Sequence, residues 1–128
     1  MQDYFAAYDP REVAPFDGVV DLLAGLDRWA IASHKDRAMG RNELVALRWQ
    51  PEVAMFAQDF GGPKRLDLVL GALGLGGGDV VFVGDTAHDR LAALDADVRY
   101  VVAGWNARAD RRGGDLVADH PSDILRFL

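Results

Sequence analysis

A doubly wound α/β fold, one parallel sheet with helices on both faces, is what this sequence predicts, and three observations predict it. Val80-Val81-Phe82-Val83 is an unbroken apolar run, three of its four residues β-branched, which is how a strand buried on both faces reads. Further, less uniformly apolar runs at 28–33, 53–57 and 98–103 alternate with segments of helical spacing, so strands and helices follow one another along the chain. Polar residues then fall at strand ends and helix starts: Ser33, Lys64, Asp85 and Asp89. In open α/β sheets that carboxyl edge is where ligands bind.

Each element has its own reason. In residues 1–16, Tyr4, Phe5 and Tyr8 suit a short helix pinned to the body, and Pro10 and Pro15 stop anything longer, so this segment is expected to be irregular. Asp17 is a reasonable N-cap for a helix whose apolar face is Val19, Val20, Leu22, Leu23 and Leu26. The run Arg28 to Ser33 is a short strand ending on a hydroxyl. Asp36 to Arg48 reads as a helix burying Leu44, Val45 and Leu47, and Pro51 breaks the chain before the apolar run from Val53 to Ala57. Gly61-Gly62-Pro63-Lys64 is a loop leading into a helix, with Pro63 at its first turn and Leu66, Leu68, Val69, Leu70 and Leu73 as its packing face.

The glycines at 74 and 76–78 look like a dinucleotide-binding loop, but that fingerprint follows a strand and opens a helix, whereas these precede the strand at Val80. They predict a flexible connection instead. After the helix through Leu91, Ala92, Ala93 and Leu94 comes a strand at 98–103. A polar, arginine-rich loop from Gly104 to Gly114 and a short closing helix from Pro121 to Leu128 complete the chain. No internal repeat or domain boundary shows, so residues 1–128 read as one domain.

Composition narrows the function. The chain is 50% hydrophobic and 27% charged, which suits a single soluble core. A net charge of −6, with Arg108, Arg111 and Arg112 interspersed with Asp110 and Asp115, supplies no basic patch for nucleic acid or an anionic membrane. The absence of cysteine excludes disulfides, thiolate chemistry and cysteine-bound zinc. No signal-peptide pattern opens the chain and no apolar run has membrane-spanning length, so a cytoplasmic location is the expectation.

Asp85 and Asp89 put two carboxylates on a strand-to-helix turn, a hard-oxygen arrangement of the kind Mg²⁺ takes, with water filling the other positions. The competing reading is that Asp85 or Thr86 caps the helix and Asp89 favours its N-terminal dipole. Ser33 and Lys64 supply a hydroxyl and an ammonium, the groups that hold a phosphoryl oxygen, an effect worth up to about 4 kcal/mol for a close charge pair in a partly shielded site. Singly, such a serine is commonly a cap and such a lysine is commonly solvated. His34 and His88 flank this group. His120, just before Pro121, reads as structural, and Trp29, Trp49 and Trp105 as packing residues.

In these motifs the sequence resembles the haloacid dehalogenase-like (HAD) superfamily and, within it, the phosphoglycolate phosphatase-like group. Ala32-Ser33-His34-Lys35 resembles the family's second motif, and Lys64 its third-motif lysine, although Arg65 replaces the usual proline. Gly84-Asp85-Thr86 through Asp89 resembles the fourth, metal-binding motif. Pro15 to Val19 with Leu22-Leu23 is similar to the helix after the family's cap, and 115–125 to its ending. The resemblance implies a Rossmann-like parallel sheet. It implies catalytic roles for Ser33 and Lys64, substrate contacts from Ser33, His34, Lys64 and Thr86, and Mg²⁺ on Asp85 and Asp89.

The family's first motif, Asp-x-Asp-Gly-Thr at the end of the first strand, is not found: Pro15 stands where the nucleophile should be, before Asp17-Gly18-Val19. That aspartate forms the covalent phospho-enzyme, so a Mg²⁺-dependent phosphatase core without it is expected to be inactive alone and to bind Mg²⁺ weakly. The alternatives are a non-catalytic binding or regulatory domain, and a truncated portion of an active small-molecule phosphatase. Expected partners are a small phosphate ester or phosphate, and a protein partner or second copy completing the sheet.

A sheet incomplete at its first strand carries an energetic problem. Each buried backbone group left unpaired costs about 1–3 kcal/mol. The expectation is therefore that the strands at Ala30–Ser33 and Val80–Val83 close up and pair directly, with a second chain as the alternative filler.

Overall fold

The computed structural model describes residues 3–6 and 17–128. The strands are β1 (Asp3–Ala6), β2 (Ala30–Ala32), β3 (Val53–Met55), β4 (Val80–Gly84), β5 (Arg99–Ala103) and β6 (Leu116–Ala118). The helices are α1 (Val19–Ala24), α2 (Arg37–Leu47), α3 (Ala57–Phe60), α4 (Leu66–Leu73) and α5 (Ala87–Asp95), with 3₁₀ turns at Gly77–Asp79 and Pro121–Phe127. All pairings are parallel, in the order β3-β2-β1-β4-β5-β6. This is the order of a doubly wound sheet, whose direction of winding reverses between β1 and β4 and opens a ligand crevice there.

One expectation is overturned at the centre of the sheet. β2 and β4 do not close up on one another, and the sheet is not incomplete at its first strand. Residues 3–6 form β1 between them, with Ala6 opposite Ile31 and the run 3–6 opposite 80–83. The irregular segment expected over 1–16 thus contains a strand, not a pinned helix, although Tyr8, Pro10 and Pro15 lie outside the described residues. Four residues suffice because the slot supplies a ladder on both sides, and neither proline falls within the strand.

β4 shows why the sheet carries two cores. Its alternate residues point to opposite faces. Val80 and Phe82 pack with Leu66, Val69, Leu70 and Leu73 of α4 and Ala92 and Ala93 of α5. Val81 and Val83 pack with Val19, Leu22 and Leu23 of α1 and with Ile124. Trp29 and Trp49 meet edge to face on this second side, 5.9 Å between centroids, as packing residues.

Local chemistry sets the element ends. Asp36 caps α2 by accepting from the Ala38 N–H. α1 begins one residue later than its sequence cap suggests, because Gly18 takes a left-handed φ of 88° beside the His120 ring and serves as N-cap without a side-chain bond. α4 starts at Leu66, so Pro63 lies in the loop and not in the first helical turn. β6 forms where no strand was expected, pairing its three residues with 101–103. His120 caps the closing 3₁₀ turn, its Nδ1 accepting from the Ser122 N–H at 3.1 Å.

Candidate functional site

The turn after β4 is built around one carboxylate. Asp89, 1% exposed, folds back from the first turn of α5 so that Oδ2 accepts the N–H groups of Asp85 at 3.2 Å and Thr86 at 3.3 Å. Thr86 returns the bond, its Oγ1 accepting from the Asp89 N–H at 3.1 Å. The other Asp89 oxygen takes the Lys64 ammonium, in a pair whose side chains are 10% and 2% exposed. Gly84 is required for this approach rather than for its own dihedral: a Cβ there would lie 2.6 Å from that of Asp89. Lys64 also stands 5.9 Å from the Phe82 ring centroid, which shields the pair from below.

The turn after β2 carries the second set. Ser33 is buried, and its N–H donates to the Met55 carbonyl at 3.0 Å. Its Oγ accepts from the Lys35 N–H at 3.1 Å, which leaves the hydroxyl hydrogen to be donated elsewhere. The Lys35 ammonium turns to Glu43 in α2, whose second carboxylate oxygen is buried with no hydrogen-bond partner among the described residues. His34 bonds through Nε2 to the Gly62 carbonyl at 2.9 Å and meets Phe60 edge to face, which ties this turn to the loop carrying Lys64. Beside that loop runs a solvent-open groove of about 750 Å³, lined by His34, Pro63, Lys64, His88 and Leu91.

Ser33, Lys64, Asp85, Thr86 and Asp89 thus lie on the carboxyl edge of the sheet, with β1 between the strand of Ser33 and that of the aspartates. Lys64 and Asp89 are in contact. His34 and His88 line the groove rather than the turn. Asp85 is half-buried, and its Oδ2 accepts from the Asn106 amide at 2.8 Å. Asp89 holds the turn and the lysine with both of its oxygens, so Asp85 is the better oxygen donor to a cation. Among the described residues no group of three or more His, Cys, Asp or Glu side chains gathers at one point. A hard carboxylate donor of this kind fits a weakly held, largely hydrated Mg²⁺.

Asn106 was not among the residues singled out in the sequence, which shows the 104–114 segment simply as an arginine-rich loop. The signal was its place: it follows β5, and β5 neighbours β4. Behind it, Arg90 clamps the loop to α5. Its guanidinium donates to Asp115 at 2.7 Å, to the Asp110 carboxylate, and to the Asp110 carbonyl at 3.0 Å. The Arg90 hydrogen bonds hold the Asp115 and Asp110 carboxyls below the ordinary carboxylate range. Tyr100 lies under the same guanidinium at 5.5 Å, and burial, followed by the Asp89 charge, pushes its phenol well above the usual value.

No protein-family model matches the chain. It is 31% identical over 123 residues to the phosphoglycolate phosphatase of Xanthomonas campestris pv. campestris, an alignment covering 86% of this chain and 53% of that protein. It superposes on a HAD-superfamily hydrolase, subfamily IA, of Geobacter sulfurreducens with a TM-score of 0.72 and 25% identity, covering 88% of this chain and 55% of that one. A haloacid dehalogenase-like family hydrolase of Streptococcus pneumoniae, 18% identical with a TM-score of 0.71 over 88% of this chain and 59% of that one, shares the fold. The chain therefore shares the Rossmann-like parallel sheet of the haloacid dehalogenase-like superfamily. Within that superfamily its homologues are phosphoglycolate phosphatase-like, and it spans about half the length of the curated relatives it matches.

Among the described residues, no helix is long and apolar enough to cross a membrane.

Proposed function

We propose that this chain is the core of a Mg²⁺-dependent, phosphoglycolate phosphatase-like site that binds a small phosphate ester and, as these 128 residues stand, does not turn it over. The observation that carries the reading is the Lys64 ammonium, held on Asp89 at the carboxyl edge where Asp85 and Ser33 also end their strands. Lys64 and the Ser33 hydroxyl would take the phosphoryl oxygens, and Thr86 would face them from the α5 cap. His34 and His88 would meet the organic remainder in the groove.

Asp85 would hold Mg²⁺, with Asp89 supporting it from behind through the turn. Bound there, the ion would offset the charge of the phosphoryl group. The chain's own groups then bind and orient the ester, but none of those named is placed to attack phosphorus. Losing a nucleophile from a catalytic unit costs on the order of a millionfold in rate.

The test has two arms, run on the whole chain with millimolar Mg²⁺. Titration with inorganic phosphate, followed by NMR, is expected to shift Ser33, Lys64, Asp85 and Thr86, and unmoved signals would reject the site. Hydrolysis of a generic aryl phosphate is expected to stay at background. Clear Mg²⁺-dependent turnover that Asp85→Asn abolishes would overturn the inactive reading.

A further inference from the structure

We infer that Asn106 is a positioning residue: it fixes the rotamer of Asp85, and the Arg90 clamp keeps it there. The inference rests on Asp85 being the Mg²⁺-binding carboxylate of the proposed site.

Three observations converge on Asp85 from the loop at 104–114. The Asn106 amide Nδ2 donates to Asp85 Oδ2 at 2.8 Å. The Asp110 N–H donates to the Asp85 carbonyl at 2.8 Å, so the loop grips both the side chain and the backbone of the same residue. The Arg108 N–H donates to Asn106 Oδ1 at 3.0 Å. That last bond decides which way the amide faces. Its oxygen is taken by a donor, so its NH₂ must point at the carboxylate.

Arg90 closes the arrangement from the other side. It follows Asp89 directly in α5, so one helical turn anchors the β4 turn through Asp89 and the loop through Arg90. The guanidinium bonds to the Asp110 carbonyl at 3.0 Å, and Asp110 is the residue whose N–H holds the Asp85 carbonyl. Asp115 receives the same guanidinium at 2.7 Å and also accepts the Arg112 N–H at 2.6 Å, which pins the far end of the loop. The loop is thus a folded wall of the site. The Asn106 amide it brings to the Asp85 carboxylate is a neutral donor, which orients the carboxylate without adding a charge. Partners of this kind behind a metal-binding group typically carry about 10- to 100-fold of metal affinity.

Asn106→Ser separates the two jobs of the residue. A serine can still accept the Arg108 N–H in a turn of the same type, but it is too short to reach Asp85. Asn106→Ala is the second variant and removes both contacts. In the chain without ligand, three-bond couplings across the Asp85 χ1 are expected to report one rotamer in the parent and averaging in both variants. In a Mg²⁺ titration both variants are expected to bind about tenfold more weakly. The backbone signals of Lys64 and Asp89 should stay in place.

A single Asp85 rotamer retained in Asn106→Ser overturns the inference. So does averaging with unchanged Mg²⁺ affinity, since the contact would then be structural only. If the parent chain binds no Mg²⁺, the functional reading falls while the coupling measurement still decides whether Asn106 sets the rotamer.

Discussion

After β4, the carboxylate that meets a lysine belongs to the turn itself; after β2, it comes from the middle of α2. Both pairs are buried, Lys64–Asp89 with side chains 10% and 2% exposed and Lys35–Glu43 with 8% and 16%. Their surroundings differ. Asp89 has a partner on each oxygen, and two of those partners are the peptide N–H groups that shape the turn. Glu43 uses one oxygen on Lys35, and its other oxygen is buried with no partner among the described residues. The first pair organises backbone, whereas the second ties a lysine to α2. An ion pair positions a site when the same carboxylate also closes the main chain.

The largest expected effect breaks the first pair. Asp89→Ala removes the acceptor of two peptide N–H groups and leaves a largely buried ammonium without its carboxylate. Removing one partner of a buried pair costs about 3–5 kcal/mol. Urea unfolding of the parent and variant chains measures it. A loss below about 1 kcal/mol would mean that Asp89 does not hold the turn.

Amide isosteres sharpen the comparison at a smaller scale. Asn at 89 keeps the shape, but its NH₂ must face either the Lys64 ammonium or the two peptide donors, so one donor meets another whichever way it turns. Gln at 43 has no such conflict: its oxygen can keep Lys35 and its NH₂ takes the place of an oxygen that has no partner among the described residues. Asp89→Asn is therefore expected to cost about 2–3 kcal/mol and Glu43→Gln about 1 kcal/mol or less. Equal losses would show that the two turns are built alike.

The same contrast separates what the sequence disclosed from what it did not. β4 and the Gly84-to-Asp89 turn were legible because their signals are local: an apolar run, a glycine, and a capping Thr86 with Asp89 three residues on. The role of Asp89 as a tie to Lys64 was not, because the partner lies 25 residues away and its approach depends on α4 packing beneath the sheet. β1 was illegible for a different reason. Four residues carry too little periodicity to read, and what makes them a strand is the unpaired ladder on either side. β6, only three residues long, was hidden by the same shortness. Asn106 and Arg90 needed the β4–β5 adjacency before their residue types meant anything.

The smallest expected effect concerns the arginines that stand near the start of each helix, and it shows as a pH window. Arg90 in α5 holds Asp115, and its hydrogen bonds are the first cause of that carboxyl's lowered pKa. A carboxyl whose folded value lies below its unfolded value adds stability above the unfolded value, about 3.9, and loses it as pH falls through the lower folded one. Arg90→Gln should remove most of this contribution. The variant is then expected to be less stable than the parent by about 1–2 kcal/mol at neutral pH, with the gap closing below about pH 4 as Asp115 takes up a proton in both chains. Arg37 at the start of α2 pairs with Asp59 at 2.7 Å, but both side chains are about a third exposed. Asp59 owes its lowered pKa first to the Phe56 N–H and only afterwards to Arg37. Arg37→Gln should therefore leave the acid response almost as it was and change stability by no more than about 0.5 kcal/mol, since water and salt screen an exposed pair. Urea unfolding of the three chains from pH 7 down to pH 2.5 reads both. A parent-minus-Arg90→Gln difference that stays constant across that range would show that the guanidinium acts through packing on Tyr100 and not through the Asp115 charge.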